Sequence, residues 1–278
     1  MISDFILALA LACIQGLTEF LPVSSSAHLL FPSLLFETKD LGLVFDIAVH
    51  AGTLAAVILY FKDDLFKLLQ AWIPWTSHRN EEDFLLGLNL IIATMPIVFV
   101  GLIFSDLISA RLHSIDSIAW ANLIFAGLLL TAFKMSSQDK NILGLTLGTA
   151  LFIGCLQALA VFPGASRSGM AITGALLVGL NLKDSSKFAF LLSIPTILGA
   201  IVLMLAKEAY VLSFDDLMIL LTGFLGSAVI AFFTIKIFLQ FVERIGMTPF
   251  VIYRICLLYT SDAADEGLGV DLGGRRII

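Results

Sequence analysis

Two short stretches of this chain are variants of one pattern, and each lies inside strongly apolar sequence. The first, CIQGLTEFLPVSSSAH, covers residues 13–28, and the second, CLQALAVFPGASRSGM, covers residues 155–170. Both contain a helix-breaking proline and a turn of small residues rich in serine. The first copy adds Glu19 and His28, and the second adds Arg167. Charged and hydroxyl groups are costly in hydrocarbon, so the two stretches indicate a functional site.

The composition of the chain identifies its environment. Of the 278 residues, 59% are hydrophobic and 14% are charged, and the mean hydropathy is +1.01. Soluble domains have about 45–50% apolar and about 25% charged residues, so this chain cannot build a water-facing surface. We predict a polytopic membrane protein in contact with membrane lipids. No cluster of basic residues suggests nucleic acid, and the three cysteines lack metal-ligand spacing.

Apolar runs near the length of a membrane span predict the crossings. Two further regions, 1–36 and 143–180, each consist of two shorter apolar arms broken at Pro22 or Pro163. Irregular backbone at membrane depth is tolerated only inside protein or beside water, so these regions predict re-entrant helical hairpins whose tips meet. The predicted fold is an all-α polytopic membrane protein with six transmembrane helices and two such hairpins. The six apolar runs are at about 41–61, 84–104, 118–133, 188–206, 217–241 and 247–260.

The basic residues of the connections predict the orientation. Loops 62–83, 134–141 and 181–187 carry two or three Lys and Arg each, whereas loops 105–117 and 207–216 carry one each. The first three are therefore predicted to be cytoplasmic and the last two external.

This alternation gives the two halves of the chain opposite topology. We predict inverted repeats at about 1–133 and 143–260, within a single integral membrane domain of residues 1–260. Residues 261–278 are rich in glycine and charge, and they are predicted to be a disordered or non-native tail.

The first hairpin tip carries an acid and three hydroxyls. Gln15 and Glu19 are four residues apart and share one helix face. The Glu19 carboxylate is suited to hold a divalent cation or to act as a base, and the alternative is a neutral, hydrogen-bonded glutamic acid that stabilises the hairpin. Ser24, Ser25 and Ser26 can cap a helix start, and a helix start that faces a cavity also binds anions.

The second tip is suited to bind phosphate. Gly164 allows close backbone approach, Ser166 and Ser168 supply hydroxyls, and Arg167 offers paired hydrogen bonds to phosphate oxygens. The alternative is a structural ion pair between Arg167 and Glu19, which can coexist with phosphate binding when no substrate is bound.

Other polar residues are candidates for supporting roles. His28 is predicted to be a nucleophile, a general acid or a packing residue, and the neighbouring acid and serines favour the first two. His50 has Asp46 one turn earlier, and its options are a supporting role or packing. Gln157 and Asn89 are candidates to line the site.

At these residues the chain resembles a known family. The strings QGLTEFLPVSSSAH, FDIAVHAGTLAAVILYF, PGASRSG and KFAFLLSIP are similar to those of the bacterial undecaprenyl-diphosphate phosphatase family, also called the bacitracin-resistance protein family. The resemblance covers about residues 5–256.

The resemblance implies a multi-pass enzyme of the bacterial inner (plasma) membrane that converts undecaprenyl diphosphate to undecaprenyl phosphate and phosphate. This reaction recycles the lipid carrier for peptidoglycan synthesis and gives bacitracin resistance. The resemblance also implies dependence on a divalent cation. We predict that this cation, Mg²⁺ or Ca²⁺, is bound at Glu19 through the substrate diphosphate. Whether the enzyme is a homodimer stays open.

The family motifs place the site residues on this chain. Gln15 stands where many members have Glu, and Ala171 stands where Thr is frequent. The matching positions are Gln15 and Glu19 in the glutamate-rich element, Ser25 and His28 in the next element, and Ser166, Arg167 and Ser168 in the third.

Two questions follow from this comparison. The nucleophile is Ser25, His28 or a water activated by Glu19, and we favour Ser25 with Glu19 as its activator and His28 assisting proton transfer. The alternative function is a transporter or flippase of polyprenyl phosphate lipids, because inverted repeats with broken helices are typical of carriers.

Overall fold

The computed structural model describes residues 2–36, 38–73, 80–104, 115–207 and 213–267, and this part of the chain is helical, without a named strand. Short 3₁₀ turns at Ile142–Gly144 and Leu159–Val161 flank one helix. The helices are α1 (Ile2–Thr18), α2 (Ser25–Phe36), α3 (Gly42–Tyr60), α4 (Lys62–Ala71), α5 (Glu81–Ile103), α6 (Ile115–Met135), α7 (Leu147–Ala158), α8 (Arg167–Leu177), α9 (Leu182–Lys207), α10 (Phe214–Ile245) and α11 (Thr248–Gly267).

The two predicted hairpins are each a pair of short helices with a break between them. Helices α1 and α2 are separated by residues 19–24, and α7 and α8 are separated by the 3₁₀ turn and residues 162–166. The breaks contain Pro22 and Pro163, which cannot continue the hydrogen-bond ladder of a helix. The predicted arms and their breaks are therefore confirmed, and we call residues 19–25 the first tip and residues 162–168 the second tip.

Five of the predicted spans coincide with α3, α5, α6, α9 and α10, which are long and apolar enough to cross a membrane. The sixth predicted crossing lies on α11, whose described apolar part, Thr248–Leu257, is shorter than a span. The count of six crossings with two re-entrant hairpins therefore stays a prediction.

The helices also extend beyond the apolar runs that predict them. Helix α9 begins at Leu182, six residues before its apolar run, because Asn181 accepts the backbone N–H of Asp184 and starts the helix in polar sequence. Helix α4 occupies part of the predicted cytoplasmic loop 62–83, and α11 continues to Gly267.

The hairpin helices pack reciprocally against the long helices of the opposite half. Helix α1 packs on α10, and α7 packs on α5. Small residues allow these close contacts: a Cβ on Gly154 of α7 would meet the backbone of Ala93 of α5, and one on Gly16 of α1 would meet Ile230 of α10. Such small-residue interfaces are usual between membrane helices, where packing replaces the hydrophobic effect. The packing therefore fixes a helix of each hairpin against a long helix of the other half.

An aromatic cluster lies beside the tips. Phe20 of the first tip makes an edge contact with Phe190 of α9, with the ring centroids 5.2 Å apart. Phe190 in turn contacts Phe238 of α10, which contacts Phe250 of α11. These rings join the first tip to the second half of the molecule.

Candidate functional site

The two tips meet through an ion pair. Nη2 of Arg167, the first residue of α8, donates to Oε1 of Glu19 in the first tip at 2.8 Å. The side chains of Glu19 and Arg167 are only 5% and 13% exposed. A second bond joins the tips, because the Ser168 hydroxyl donates to the Leu21 carbonyl at 2.9 Å. A carboxylate from the first half and a guanidinium from the second half are therefore in direct contact at a buried position.

The Glu19 carboxylate accepts hydrogen bonds from polar groups around the first tip. Its Oε2 accepts from Gln15 Nε2 at 2.9 Å and from the Ser25 hydroxyl at 2.7 Å. The helical spacing of four residues places Gln15 beside Glu19, as predicted. His50 Nε2 lies 3.7 Å from the same Oε2. A serine hydroxyl that donates to a buried carboxylate has the arrangement of a nucleophile beside its base.

Each tip has a serine with a positive φ angle immediately before its helix begins. Ser24 precedes α2 with φ of 71°, and Ser166 caps α8 with φ of 70°. The hydroxyls of Ser24 and Ser26 are 3.3 Å apart, and those of Ser166 and Ser168 are also 3.3 Å apart. Positive φ costs a non-glycine residue roughly 1–3 kcal/mol and is concentrated at functional sites. Both copies of the motif therefore form the same strained turn at a helix start.

The two histidines have different surroundings. His28 Nδ1 donates to the Ser24 carbonyl at 2.7 Å, and its Nε2 lies 2.7 Å from the Tyr253 hydroxyl. His50 Nδ1 donates to the Asp46 carbonyl at 2.7 Å, so Asp46 orients His50 through its main chain. His50, the residue predicted to support the site, is the histidine beside Glu19, whereas His28 is held by α11.

Three of the predicted site residues have other partners. Gln157 Nε2 donates to Thr196 in α9, and Asn89 donates to the Leu145 carbonyl. The Cα of Gly164 lies against the Ile118 carbonyl of α6, where a side chain would not fit. The close backbone approach that was predicted at Gly164 is therefore made to the backbone of α6.

Three residues around the tips were not predicted from the sequence. Tyr253 contacts His28, and Arg254 with Asn122 lies directly beneath the tips. Arg254 is fully buried and Asn122 is 2% exposed. The sequence feature that could have identified them is a charged residue, Arg254, and an amide, Asn122, inside apolar runs, since such residues are rare in membrane segments.

Two buried polar atoms of the site have no hydrogen-bond partner among the described residues. They are Arg167 Nη1, a donor, and Gln15 Oε1, an acceptor. The first suits a phosphate oxygen, and the second suits a hard cation.

No group of three or more His, Cys, Asp and Glu capable of holding a metal occurs in the described ranges. Of the residues present, Glu19 and Gln15 Oε1 have the oxygen chemistry that a hard divalent cation prefers.

Comparison with known proteins identifies the family. A family model described as bacitracin resistance protein BacA matches residues 8–259. The chain belongs to this family. Its members named in the comparison include undecaprenyl-diphosphatases, and the resemblance drawn from the sequence motifs is confirmed.

The BacA relatives match nearly the whole chain. The undecaprenyl-diphosphatase of Teredinibacter turnerae is 46% identical over 258 residues, which cover 91% of this chain and 97% of the relative. That of Saccharophagus degradans is 45% identical over 257 residues, covering 91% and 96%. That of Alcanivorax borkumensis is 44% identical over 258 residues, also covering 91% and 96%.

Proposed function

We propose that this protein is an undecaprenyl-diphosphatase, which hydrolyses undecaprenyl diphosphate to undecaprenyl phosphate and inorganic phosphate. Membership of the BacA family and three relatives of that name support this function. The observation in the structure that carries it is the buried contact between Glu19 and Arg167 across the two tips. This contact supports a site in which an acid, a hydroxyl and a phosphate-binding guanidinium reach one headgroup.

Arg167 and the helix starts bind the diphosphate. Arg167 Nη1 has no partner in the described residues, and it donates to a phosphate oxygen when substrate enters. Ser24, Ser166 and Ser168 lie at the N-termini of α2 and α8, where backbone N–H groups favour anions. These donors offset the charge that develops on the transferred phosphoryl group. The polyprenyl tail stays in the lipid against the exposed apolar helix faces.

Ser25 is the nucleophile in this mechanism. Its hydroxyl already donates to Glu19 Oε2 at 2.7 Å, so Glu19 accepts the proton as the Ser25 oxygen forms a bond to the terminal phosphorus. The phosphorus–oxygen bond to undecaprenyl phosphate breaks at the same centre. Water then attacks the phosphoserine, releases inorganic phosphate and restores Ser25.

His28 is less suited to attack phosphorus. Its two ring nitrogens lie 2.7 Å from the Ser24 carbonyl and 2.7 Å from the Tyr253 hydroxyl. In this mechanism His28 holds the turn before α2 and assists proton transfer to the leaving oxygen.

A divalent cation, Mg²⁺ or Ca²⁺, supplies charge neutralisation of the diphosphate. Glu19 and Gln15 Oε1 are the protein groups that would hold it. Because a glutamine contributes no negative charge, the substrate oxygens would supply most of the remaining ligands.

The finer features of the architecture belong to the same proposal. The reciprocal packing of α1 on α10 and of α7 on α5 supports two inverted repeats. The proposed substrate and the long apolar helices support a location in the bacterial inner membrane. Glu19, Ser25 and Arg167 come from one chain, so the proposed activity does not require a homodimer.

Phosphate release from undecaprenyl diphosphate by purified protein in detergent tests the function. The unaltered protein is expected to release phosphate and to lose activity with a chelator. Glu19→Gln and Arg167→Gln are expected to lower kcat by about 10²–10³-fold or more, since each removes a charge from the reacting centre. Glu243→Gln and Arg244→Gln, on exposed side chains at the end of α10, are the matched controls.

A polyprenyl phosphate carrier is the second candidate, because reciprocal packing of broken helices is typical of alternating-access transporters. Detergent abolishes vectorial transport but permits hydrolysis. An unaltered protein that releases no phosphate with Mg²⁺, Ca²⁺ or Mn²⁺, yet moves labelled lipid across proteoliposomes, is a carrier and not a phosphatase.

A further inference from the structure

Arg254 lies where the two tips, α6 and α11 meet. It is 0% exposed. Its Nη2 donates to the Gly164 and Ala165 carbonyls of the second tip at 2.7 and 3.3 Å, and its Nη1 lies 3.5 Å from the Pro22 carbonyl of the first tip. One planar group therefore contacts both tips.

The guanidinium is anchored from the side. Arg254 Nε donates to Asn122 Oδ1 at 2.7 Å, and Asn122 Nδ2 donates back to the Arg254 carbonyl at 3.0 Å. This reciprocal pair joins α6 to α11 and fixes the direction in which the guanidinium points. Because the fork is planar and rigid, the orientation of one nitrogen determines that of the other two.

The acceptors of Arg254 are neutral. No ion pair between Arg254 and a carboxylate occurs in the described part of the chain. A buried charge without a counter-charge is costly, and the cost is tolerated where the group does something that an apolar side chain cannot do. Here it satisfies carbonyls at helix breaks, which have no partner within a helix.

The carbonyls that Arg254 contacts belong to residues close in sequence to the proposed reacting groups. Pro22 is three residues after Glu19, and Ala165 is two residues before Arg167. Holding both carbonyls fixes the distance between the tips and so the placement of Glu19 and Ser25 relative to Arg167. Misplacement of reacting groups by about 1 Å can cost about 10²-fold in rate.

We propose that Arg254 is a positioning residue of the hydrolysis, which holds the two tips in register through their backbone carbonyls while Asn122 directs its guanidinium. The proposal rests on the proposed phosphatase function. It concerns the geometry of the fork and not its charge alone, because a lysine ammonium is a point donor that cannot reach three separated acceptors.

The test compares Arg254→Gln and Arg254→Lys with the unaltered protein, with Arg244→Gln as the exposed control. We measure kcat and KM for phosphate release, normalised to folded protein, and the thermal unfolding midpoint in detergent. Arg254→Gln is expected to lower kcat by about 10²-fold with KM changed less than about threefold, and Arg254→Lys to regain less than about a tenth of the lost activity.

The outcomes separate this inference from the function on which it rests. Absence of phosphate release by the unaltered protein overturns the phosphatase itself. An active unaltered protein whose folded Arg254→Gln variant keeps kcat within about twofold, or whose Arg254→Lys variant is fully active, overturns the positioning role.

A second variant covers the case in which Arg254→Gln does not fold. Asn122→Ala leaves Arg254 in place and removes the Oδ1 acceptor that directs Nε, together with the Nδ2 bond to the Arg254 carbonyl. It is expected to fold and to lower kcat by about fivefold or more without a matching rise in KM. A folded Asn122→Ala protein with unchanged kcat contradicts the proposal.

Discussion

At the scale of single residues, the two tips divide the chemistry between them. The first tip contributes the acid and the hydroxyl, Glu19 and Ser25, and the second contributes Arg167 at the position equivalent to Ser25 in the repeated motif. Val161 stands where the first motif has Glu19. Each motif copy alone therefore lacks one of the proposed reacting groups, and the proposed site exists only where the copies meet.

The role of Ser25 leads to a prediction about covalent chemistry. Ser25→Ala is expected to lower kcat by about 10³-fold or more, because it removes the oxygen that bonds phosphorus. Acid quenching with substrate labelled in the terminal phosphate is expected to leave label on Ser25 of the unaltered protein. Ser33→Ala is the control, since Ser33 lies in the same helix and bonds the Leu30 carbonyl. Near-normal turnover of Ser25→Ala would instead identify a water activated by Glu19 as the nucleophile.

At the scale of elements, the sequence predicts where the helices lie better than it predicts how they begin. Apolar runs locate α3, α5, α6, α9 and α10. Their polar ends depend on local hydrogen bonds: Asn80 accepts the Glu82 N–H before α5, and Ser213 caps α10. Hydropathy contains no information on such caps, so the helices extend past the apolar runs.

The contact between α7 and α5 gives a prediction about stability. Gly154→Ala is expected to lower the free energy of unfolding by about 1–3 kcal/mol, because the new methyl group meets the Ala93 backbone. Displacement of α7 also moves the second tip, so phosphate release falls. Gly101→Ala, in α5 with open space around its Cα, is expected to be neutral or stabilising by up to about 1 kcal/mol. Equal unfolding midpoints for the two variants in detergent would show that α7 can adjust.

At the scale of the whole molecule, each hairpin packs on a long helix of the other half. Helix α10 packs on both α1 and α3, and α9 of the second half packs on both α3 and α5 of the first. The tips are therefore fixed by helices distant in sequence. This arrangement explains how an ion pair spanning 148 residues of sequence can form at 2.8 Å.

The predicted inverted topology can be measured directly. With Cys13, Cys155 and Cys256 replaced by Ala, a single cysteine at Lys39 is expected to react with a membrane-impermeant maleimide added outside intact cells. One at Ser137, in the loop between the repeats, is expected to react only after the membrane is opened, because basic loops stay in the cytoplasm. Labelling of both positions from outside would exclude the inverted arrangement.

The sequence by itself determined the class of the protein, the broken hairpins and the candidate groups Glu19, Ser25 and Arg167, because apolar runs, prolines and costly polar residues are local properties of the chain. Tertiary structure alone decided that Ser25 bonds Glu19, that His50 and not His28 lies beside that acid, and that Arg254 joins the tips. The bond from Ser25 to Glu19 crosses the break between α1 and α2, whereas the contacts of His50 and Arg254 join segments far apart in the chain. Their formation depends on how whole helices pack, which no local pattern encodes.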